Sequence, residues 1–242
     1  MPMPFYVPPE QLMKDRSDYA RKGIARGKPV MVLEFADGIL FIADNPSATL
    51  HKVAEIYDRI AFAAVGKFSE FENLRISGVR LADIRGYSYG REDVTAKALA
   101  NAYSQLLSNI FTQEMKPYEV EIIVAQVGEQ PEENEIYHIL FDGSVTDEDG
   151  FVAMGGEVEA LSARLGEGYK PGMVLEEAVH TAVEALGSMN GGPLPAERVE
   201  AAVLDRRRGR RKFRRLSDEE IARLVGTSAP GPERSGPADA GS

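Results

Sequence analysis

Residues 30–43 carry the feature that most restricts the fold of this chain. Two apolar runs, 30–35 and 39–43, flank the turn residues Ala36, Asp37 and Gly38. The Asp-Gly pair is typical of a tight hairpin turn, so the two runs are predicted to form paired strands. Both runs are almost continuously apolar instead of alternating with polar residues. Strands of this kind are buried on both faces, so other layers must cover the hairpin on each side.

Helical and strand patterns in the rest of the chain occur in separate groups. Apolar residues at helical spacing predict helices over 10–27, 68–87, 93–115, 157–165, 175–186 and 218–225, with Asp93 as an N-terminal cap. Strands are predicted over 56–65, 120–127, 136–141, 151–154, 200–204 and 212–216. Grouped strands and helices indicate an α+β fold instead of repeated βαβ units. The expected architecture is a pair of packed sheets covered on both sides by helix pairs.

The composition excludes several kinds of chemistry. The chain has no cysteine, which rules out disulfides, thiolate metal sites and thiol nucleophiles. Its net charge of −10 disfavours nucleic acid or an anionic membrane as the main partner. No stretch approaches the ~20 apolar residues of a membrane-spanning helix, and the N-terminus lacks a signal-peptide pattern. We therefore expect a cytoplasmic protein.

The histidines give no indication of a metal. His51, His138 and His180 have no carboxylate or histidine partner at metal-ligand spacing in the sequence. We therefore predict no metal site and no cofactor, and a structural role for His138 within its strand.

Both ends of the chain differ in composition from the part between them. The nine N-terminal residues are Met1, Pro2, Met3, Pro4, Phe5, Tyr6, Val7, Pro8 and Pro9. Proline fixes φ and lacks an amide donor, so residues 1–9 are expected to form an extended, flexible arm. Residues 226–242 contain mostly Gly, Pro, Ser and Ala, a composition that predicts a disordered tail. One domain, 10–225, is predicted between them.

Residues 205–215 form the most basic segment. They include eight Lys or Arg, a pattern also found in nucleic-acid-binding patches. Phe213 and Leu216 at strand spacing, with Gly209 at a turn, favour a solvated β-hairpin instead. Residues 117–163, by contrast, hold twelve Asp or Glu and no Lys or Arg. The two segments could therefore pair between subunits.

Four segments together resemble a known family. They are DYARKGIARGKPVMVLEFADGILFIADN (18–45), EIYDRIAFAAVGKFSEFENL (55–74), KPYEVEIIVAQV (116–127) and FVAMGGEVEAL (151–161). In order and spacing they resemble proteasome α-type subunits, and most closely the actinobacterial branch. The resemblance covers residues 10–225. It implies the N-terminal-nucleophile hydrolase fold, a four-layer αββα sandwich in which helices flank two antiparallel sheets.

The resemblance also implies a test for catalysis. In the catalytic β-type members, a threonine becomes the first residue of the first strand, and its free α-amine activates its hydroxyl. Here Lys28 stands at that position, and no Thr or Ser occurs from 27 to 43. Asp44 falls near the family's supporting acid, whereas residues 54–60, where the catalytic lysine is expected, contain none. The resemblance therefore implies a non-catalytic subunit with no catalytic residues, in which the helix before Pro29 blocks the ancestral site.

The resemblance further implies partners and a binding site. Such chains form a homoheptameric ring, template assembly with proteasome β subunits and admit unfolded protein substrates. Their N-terminal arms occlude the axial pore, a role that here falls to residues 1–9. A lysine pocket binds the C-terminal tail of a ring-shaped AAA ATPase, and here Lys52 and Gly66 are its candidate residues.

Two other functions stay open at the level of sequence. The chain could be a self-contained threonine or serine hydrolase of the N-terminal-nucleophile type, with Ser17 or Thr49 as nucleophile. It could also be an RNA-binding protein that uses residues 206–215.

Overall fold

The structure, a computed structural model, describes residues 8–226. The helices are α1 (Pro9–Ala25), α2 (Phe68–Ser88), α3 (Ala96–Gln113), α4 (Val158–Gly168), α5 (Leu175–Met189) and α6 (Asp218–Gly226). The strands are β1 (Val30–Phe35), β2 (Gly38–Asp44), β3 (Val53–Tyr57), β4 (Ile60–Gly66), β5 (Val120–Gln126), β6 (Glu135–Ile139), β7 (Val145–Asp147), β8 (Phe151–Met154), β9 (Val199–Asp205) and β10 (Phe213–Arg215). None of these helices has the length and apolar character needed to cross a membrane. The predicted arm, apart from Pro8 and Pro9, and residues 227–242 of the predicted tail lie outside the described residues.

The strands form two five-stranded antiparallel sheets. The first has the order β10-β9-β2-β1-β8 and the second the order β3-β4-β5-β6-β7. The predicted hairpin is confirmed, because Val30 pairs with Ala43 and Phe35 with Gly38. Every residue of β2 is buried, as its continuous apolar pattern predicted. The predicted hairpin in the basic segment is confirmed as well, since Phe213 of β10 pairs with Leu204 of β9.

Three apolar clusters separate four layers. The central cluster lies between the sheets and includes Val32, Phe41, Ala63 and Ile123. A second cluster packs α4, α5 and α6 against the outer face of the first sheet. The third packs α2 and α3 against the outer face of the second sheet. The predicted α+β sandwich, with helices outside two packed antiparallel sheets, is therefore confirmed.

Two local predictions were wrong. The single strand expected over 56–65 is a hairpin, because the polar pair Asp58 and Arg59 turns the chain and Tyr57 pairs with Ile60. The cap of α3 is Thr95, whose side chain accepts a hydrogen bond from the amide of Ala98 at 3.2 Å. Asp93 instead ends a short 3₁₀ turn ahead of that cap.

The central layer generates a stability prediction. Phe41 is fully buried between the sheets, so Phe41→Ala should lower the free energy of unfolding by about 3–5 kcal/mol through lost burial and a residual cavity. Urea denaturation of the isolated chain measures this change. The control is Tyr87→Ala in α2, where 94% exposure should keep the change within about 0.5 kcal/mol. Equal effects of the two substitutions would contradict the assigned core.

Candidate functional site

Helix α1 closes one end of the space between the sheets. Ala20 and Ile24 on its inner face belong to the central apolar cluster, together with Val65 of β4. Farther along the helix, the Arg16 guanidinium donates to the carbonyl of Phe111, and the Tyr19 hydroxyl donates to Glu119 at 3.2 Å. Pro9 occupies the first helical position, where the missing amide costs nothing. The segment before β1 is therefore packed against the body of the domain.

The linker from α1 to β1 passes close to β4. A Cβ on Gly27 would lie 2.4 Å from Cγ1 of Val65, so the chain needs glycine there to approach so closely. The next residue, Lys28, has peptide bonds on both sides and carries no hydroxyl. The start of β1 therefore offers neither the free amine nor the nucleophile that N-terminal hydrolysis requires.

Asp44 lies at the end of β2, beside this linker. Its fully buried carboxylate accepts two 2.7 Å hydrogen bonds from the Arg198 guanidinium, and the Lys28 ammonium lies 3.6 Å away. A bidentate guanidinium contact of this kind stabilises a buried carboxylate. Asp44 therefore has a structural ion pair here and no nucleophile to support.

Lys52 immediately precedes β3, and its side chain points to the same linker. Its ammonium donates a hydrogen bond of 2.5 Å to the carbonyl oxygen of Lys28. Burial lowers the Lys52 pKa to about 8; the carboxylates of Asp44 and Glu200 oppose this shift, and the charge of Lys28 adds to it. Lys52 lies two residues before 54–60, the range in which the resemblance placed the family's catalytic lysine. The acid and the lysine thus surround a position that has no nucleophile.

Glu200 holds the start of β3 in place. Its carboxylate accepts hydrogen bonds from the amides of Lys52 at 2.9 Å and Val53 at 3.2 Å, and from the side chains of Asn45 and Arg215. These contacts fix the backbone from which the Lys52 side chain extends. Sequence reasoning missed Glu200 because it lies 148 residues from Lys52 and belongs to the other sheet.

Gly66 ends β4 on the opposite side of the same linker. Its φ of +114° favours glycine, and a Cβ there would lie 1.9 Å from the carbonyl oxygen of Glu119. A Cβ on Gly27 would lie 3.3 Å from the Gly66 amide nitrogen. Lys52 and Gly66, selected together from the sequence, therefore both border the segment from Gly27 to Lys28.

The sequence alternatives have no comparable geometry. Ser17 lies within α1, and Thr49 lies in the loop before β3, where its amide donates to the Ser47 hydroxyl. Neither residue begins a strand, so neither supplies the N-terminal nucleophile of the hydrolase alternative.

Four of the eight basic side chains in segment 205–215 form ion pairs with carboxylates of the same chain. Arg207 pairs with Asp37, Arg211 with Glu55, Arg214 with Glu220 and Arg215 with Glu200. These four guanidinium groups already have carboxylate partners, which reduces the positive charge that the segment offers to RNA or to acidic residues 117–163 of another subunit.

The expectation that the histidines lack carboxylate partners was wrong. His138 lies between Glu121 at 2.6 Å and Glu148 at 3.6 Å, because neighbouring strands bring distant residues together. His51 lies 3.4 Å from Glu200, and His180 lies 4.0 Å from Glu184 one helical turn away. Over residues 8–226, no group of three or more such side chains is arranged to hold a metal ion.

Comparison with known proteins identifies the family to which this chain is similar. A family model described as proteasome subunit matches residues 24–204. A relative from Geodermatophilus obscurus is 58% identical over 234 residues, covering 93% of this chain and 82% of the relative. One from Kineococcus radiotolerans is 60% identical, covering 93% and 98%, and one from Thermomonospora curvata is 57% identical, covering 95% and 100%. All three are named proteasome subunit alpha.

The matched region spans β1, β2, Lys52, Gly66 and Glu200, so the similarity includes the residues that border the linker. A lysine that continues the chain into β1 explains why this site has no catalytic activity of its own. The chain therefore belongs to the proteasome subunit family, among its non-catalytic α-type members.

Proposed function

We propose that copies of this chain form the homoheptameric outer rings of a cytoplasmic 20S proteasome. The rings template assembly of the catalytic β subunits, gate the access of unfolded proteins and dock a ring-shaped AAA ATPase through its C-terminal tail. In actinobacteria the substrates are proteins marked by a small protein modifier. The chain contributes steric closure and electrostatic recognition, while the β subunits supply the chemistry.

The packed helix α1 is the observation that carries this proposal. Buried Ala20 and Ile24 fix α1 to the sandwich, so the arm ahead of Pro8 starts from a defined point. In a ring, the arms of all copies would start at the same level and could meet on the axis. Leu12, Met13 and Tyr19 of α1 are between 36% and 48% exposed, and these side chains are suited to packing against a neighbouring copy.

Lys52 supports the docking part of the proposal. A half-buried ammonium in a partly desolvated site attracts a carboxylate more strongly than an exposed lysine does. Its contact with the carbonyl of Lys28 places this charge beside the linker that leads to α1. The proposed pocket therefore lies beside the linker, and α1 connects this linker to the arm.

Assembly is tested by purifying the chain alone and with a catalytic β partner. We expect sevenfold rings in electron micrographs and peptide cleavage only when the β partner is present, since Lys28 cannot act as a nucleophile. Cleavage by the isolated chain, together with a mature N-terminus at Ser or Thr in its mass spectrum, would overturn the proposal.

Removal of residues 1–7 should open the gate. This deletion leaves Pro8, whose carbonyl accepts from the Leu12 amide at 3.1 Å, so the start of α1 is retained. We expect faster cleavage of peptides by the assembled particle, and a larger gain for long peptides than for tripeptides because only access changes. The rate is measured by fluorogenic hydrolysis, with an inactive β subunit as the blank. Unchanged turnover for both lengths would argue against gating.

Lys52→Ala should abolish stimulation by an ATPase tail peptide. The substitution removes the ammonium that the carboxylate needs, so the ratio of stimulated to unstimulated hydrolysis should fall to about one. Lys170→Ala, an exposed lysine after α4, is the matched control and should retain stimulation. Stimulation that is retained in Lys52→Ala would show that the tail binds at another site.

Tail binding should also weaken above pH 8. The Lys52 pKa of about 8 in the empty pocket means that the charged form prevails at pH 7 and is lost as pH rises. Because the carboxylate binds the charged form, its affinity should fall about tenfold between pH 7 and 9. Fluorescence anisotropy of a labelled tail peptide measures this fall. Lys52→Arg keeps its charge and should show a flat profile, and a flat profile in the unsubstituted chain would contradict the prediction.

A further inference from the structure

The Lys28 ammonium has been given no role in the proposed pocket of Lys52 and Gly66. Its side chain is 49% exposed, and its nearest carboxylate oxygen, on Asp44, is 3.6 Å away. That distance exceeds a normal hydrogen bond, and Arg198 already binds Asp44 through two 2.7 Å contacts. The carboxylate nearest to the Lys28 ammonium is therefore already paired with Arg198.

Lys28 and Lys52 lie at the same site. The Lys52 ammonium donates to the Lys28 carbonyl, and both ammonium groups interact with Asp44. The charge of Lys28 also lowers the Lys52 pKa, as expected for two like charges near one carboxylate. Each ammonium has three donors, and the contact to the Lys28 carbonyl occupies one donor of Lys52.

The charges around this site do not balance. Lys28, Lys52, Arg198 and Arg215 contribute four positive charges, while Asp44 and Glu200 contribute two negative charges. The two arginines suffice to pair the two carboxylates, which leaves the two lysines in excess. Two like charges held together repel each other, and an anion placed between them relieves that repulsion.

We propose that Lys28 is a second binding residue for the tail carboxylate, which lies between the ammonium groups of Lys28 and Lys52. This inference rests on the proposed docking function and specifies how the pocket recognises its partner. Lysine is suited to the task because its ammonium is a charged donor on a flexible side chain and can reach either carboxylate oxygen. A free C-terminus meets this requirement, whereas a C-terminal amide does not.

A peptide-binding experiment on the assembled α–β particle tests this assignment. The probe is a fluorescent peptide ending in Leu-Tyr-Leu, with either a free carboxylate or a C-terminal amide. Lys28→Gln should weaken binding of the carboxylate peptide about two- to fivefold, as expected for a half-exposed ion pair, and leave the weak binding of the amide peptide unchanged. Lys28→Arg keeps the charge and should bind within about twofold of the unsubstituted particle.

Lys22→Gln is the matched control for Lys28→Gln. Lys22 is an exposed lysine in the last turn of α1, six positions before Lys28, and its loss should not change the affinity. Thermal unfolding of each particle checks that the substitutions leave the assembly intact.

The outcomes separate this inference from the docking proposal. If Lys52→Ala abolishes binding while Lys28→Gln behaves like Lys22→Gln, Lys28 is not a binding residue and the docking proposal survives. If Lys28→Gln weakens the acid and amide peptides equally, its effect is not recognition of the carboxylate, and the inference fails. If the acid and amide peptides bind the unsubstituted particle equally, the carboxylate pocket itself is wrong, and the inference fails with it.

Discussion

The covalent link between α1 and β1 is the constraint on which the rest of the structure depends. Because the chain continues through Lys28 into β1, the position that holds a free terminal residue in the catalytic members holds an internal lysine here. The same continuity fixes α1 across the end of the sandwich, where Ala20 and Ile24 complete the central apolar layer. The continuous backbone at Lys28 therefore excludes a free N-terminal nucleophile. It also connects β1 to α1, the helix that follows the N-terminal arm.

The polar residues around the linker depend on two buried carboxylates. Asp44 and Glu200 lie at the ends of strands in the first sheet, and burial of such charges is costly unless several donors satisfy them. Arg198 satisfies Asp44, while Arg215 and two backbone amides satisfy Glu200. Because Glu200 would be costly to leave without these amide donors, it stabilises the backbone at the junction of the loop and β3. The hydrogen bonds that the backbone amides of Lys52 and Val53 donate to Glu200 therefore position Lys52 more than the contact of its ammonium does.

The sequence predicted the layers better than the site. Continuous apolar runs identified β1 and β2 because burial on both faces leaves a pattern that needs no knowledge of the neighbours. The turn at Asp58 and Arg59 was missed because a single aspartate, with no glycine or proline beside it, is a weak turn signal inside an apolar run. Lys52 could be selected by resemblance, but its contact with Lys28 and the role of Glu200 depend on packing between residues 24 and 148 positions apart. No local pattern records such a contact.

A tail can open a gate only if it binds the open form more tightly than the closed form. The contact between Lys52 and the Lys28 carbonyl is a candidate for that difference, because a carboxylate that binds Lys52 can draw its ammonium away from this carbonyl. Release of this carbonyl would free the linker that ends α1, and α1 is the element that carries the arm. A carboxylate shared by Lys28 and Lys52 would act on both ends of this contact. Affinity for the tail and movement of the arm would then be linked through Lys28, which occupies the position of the nucleophile in the catalytic members.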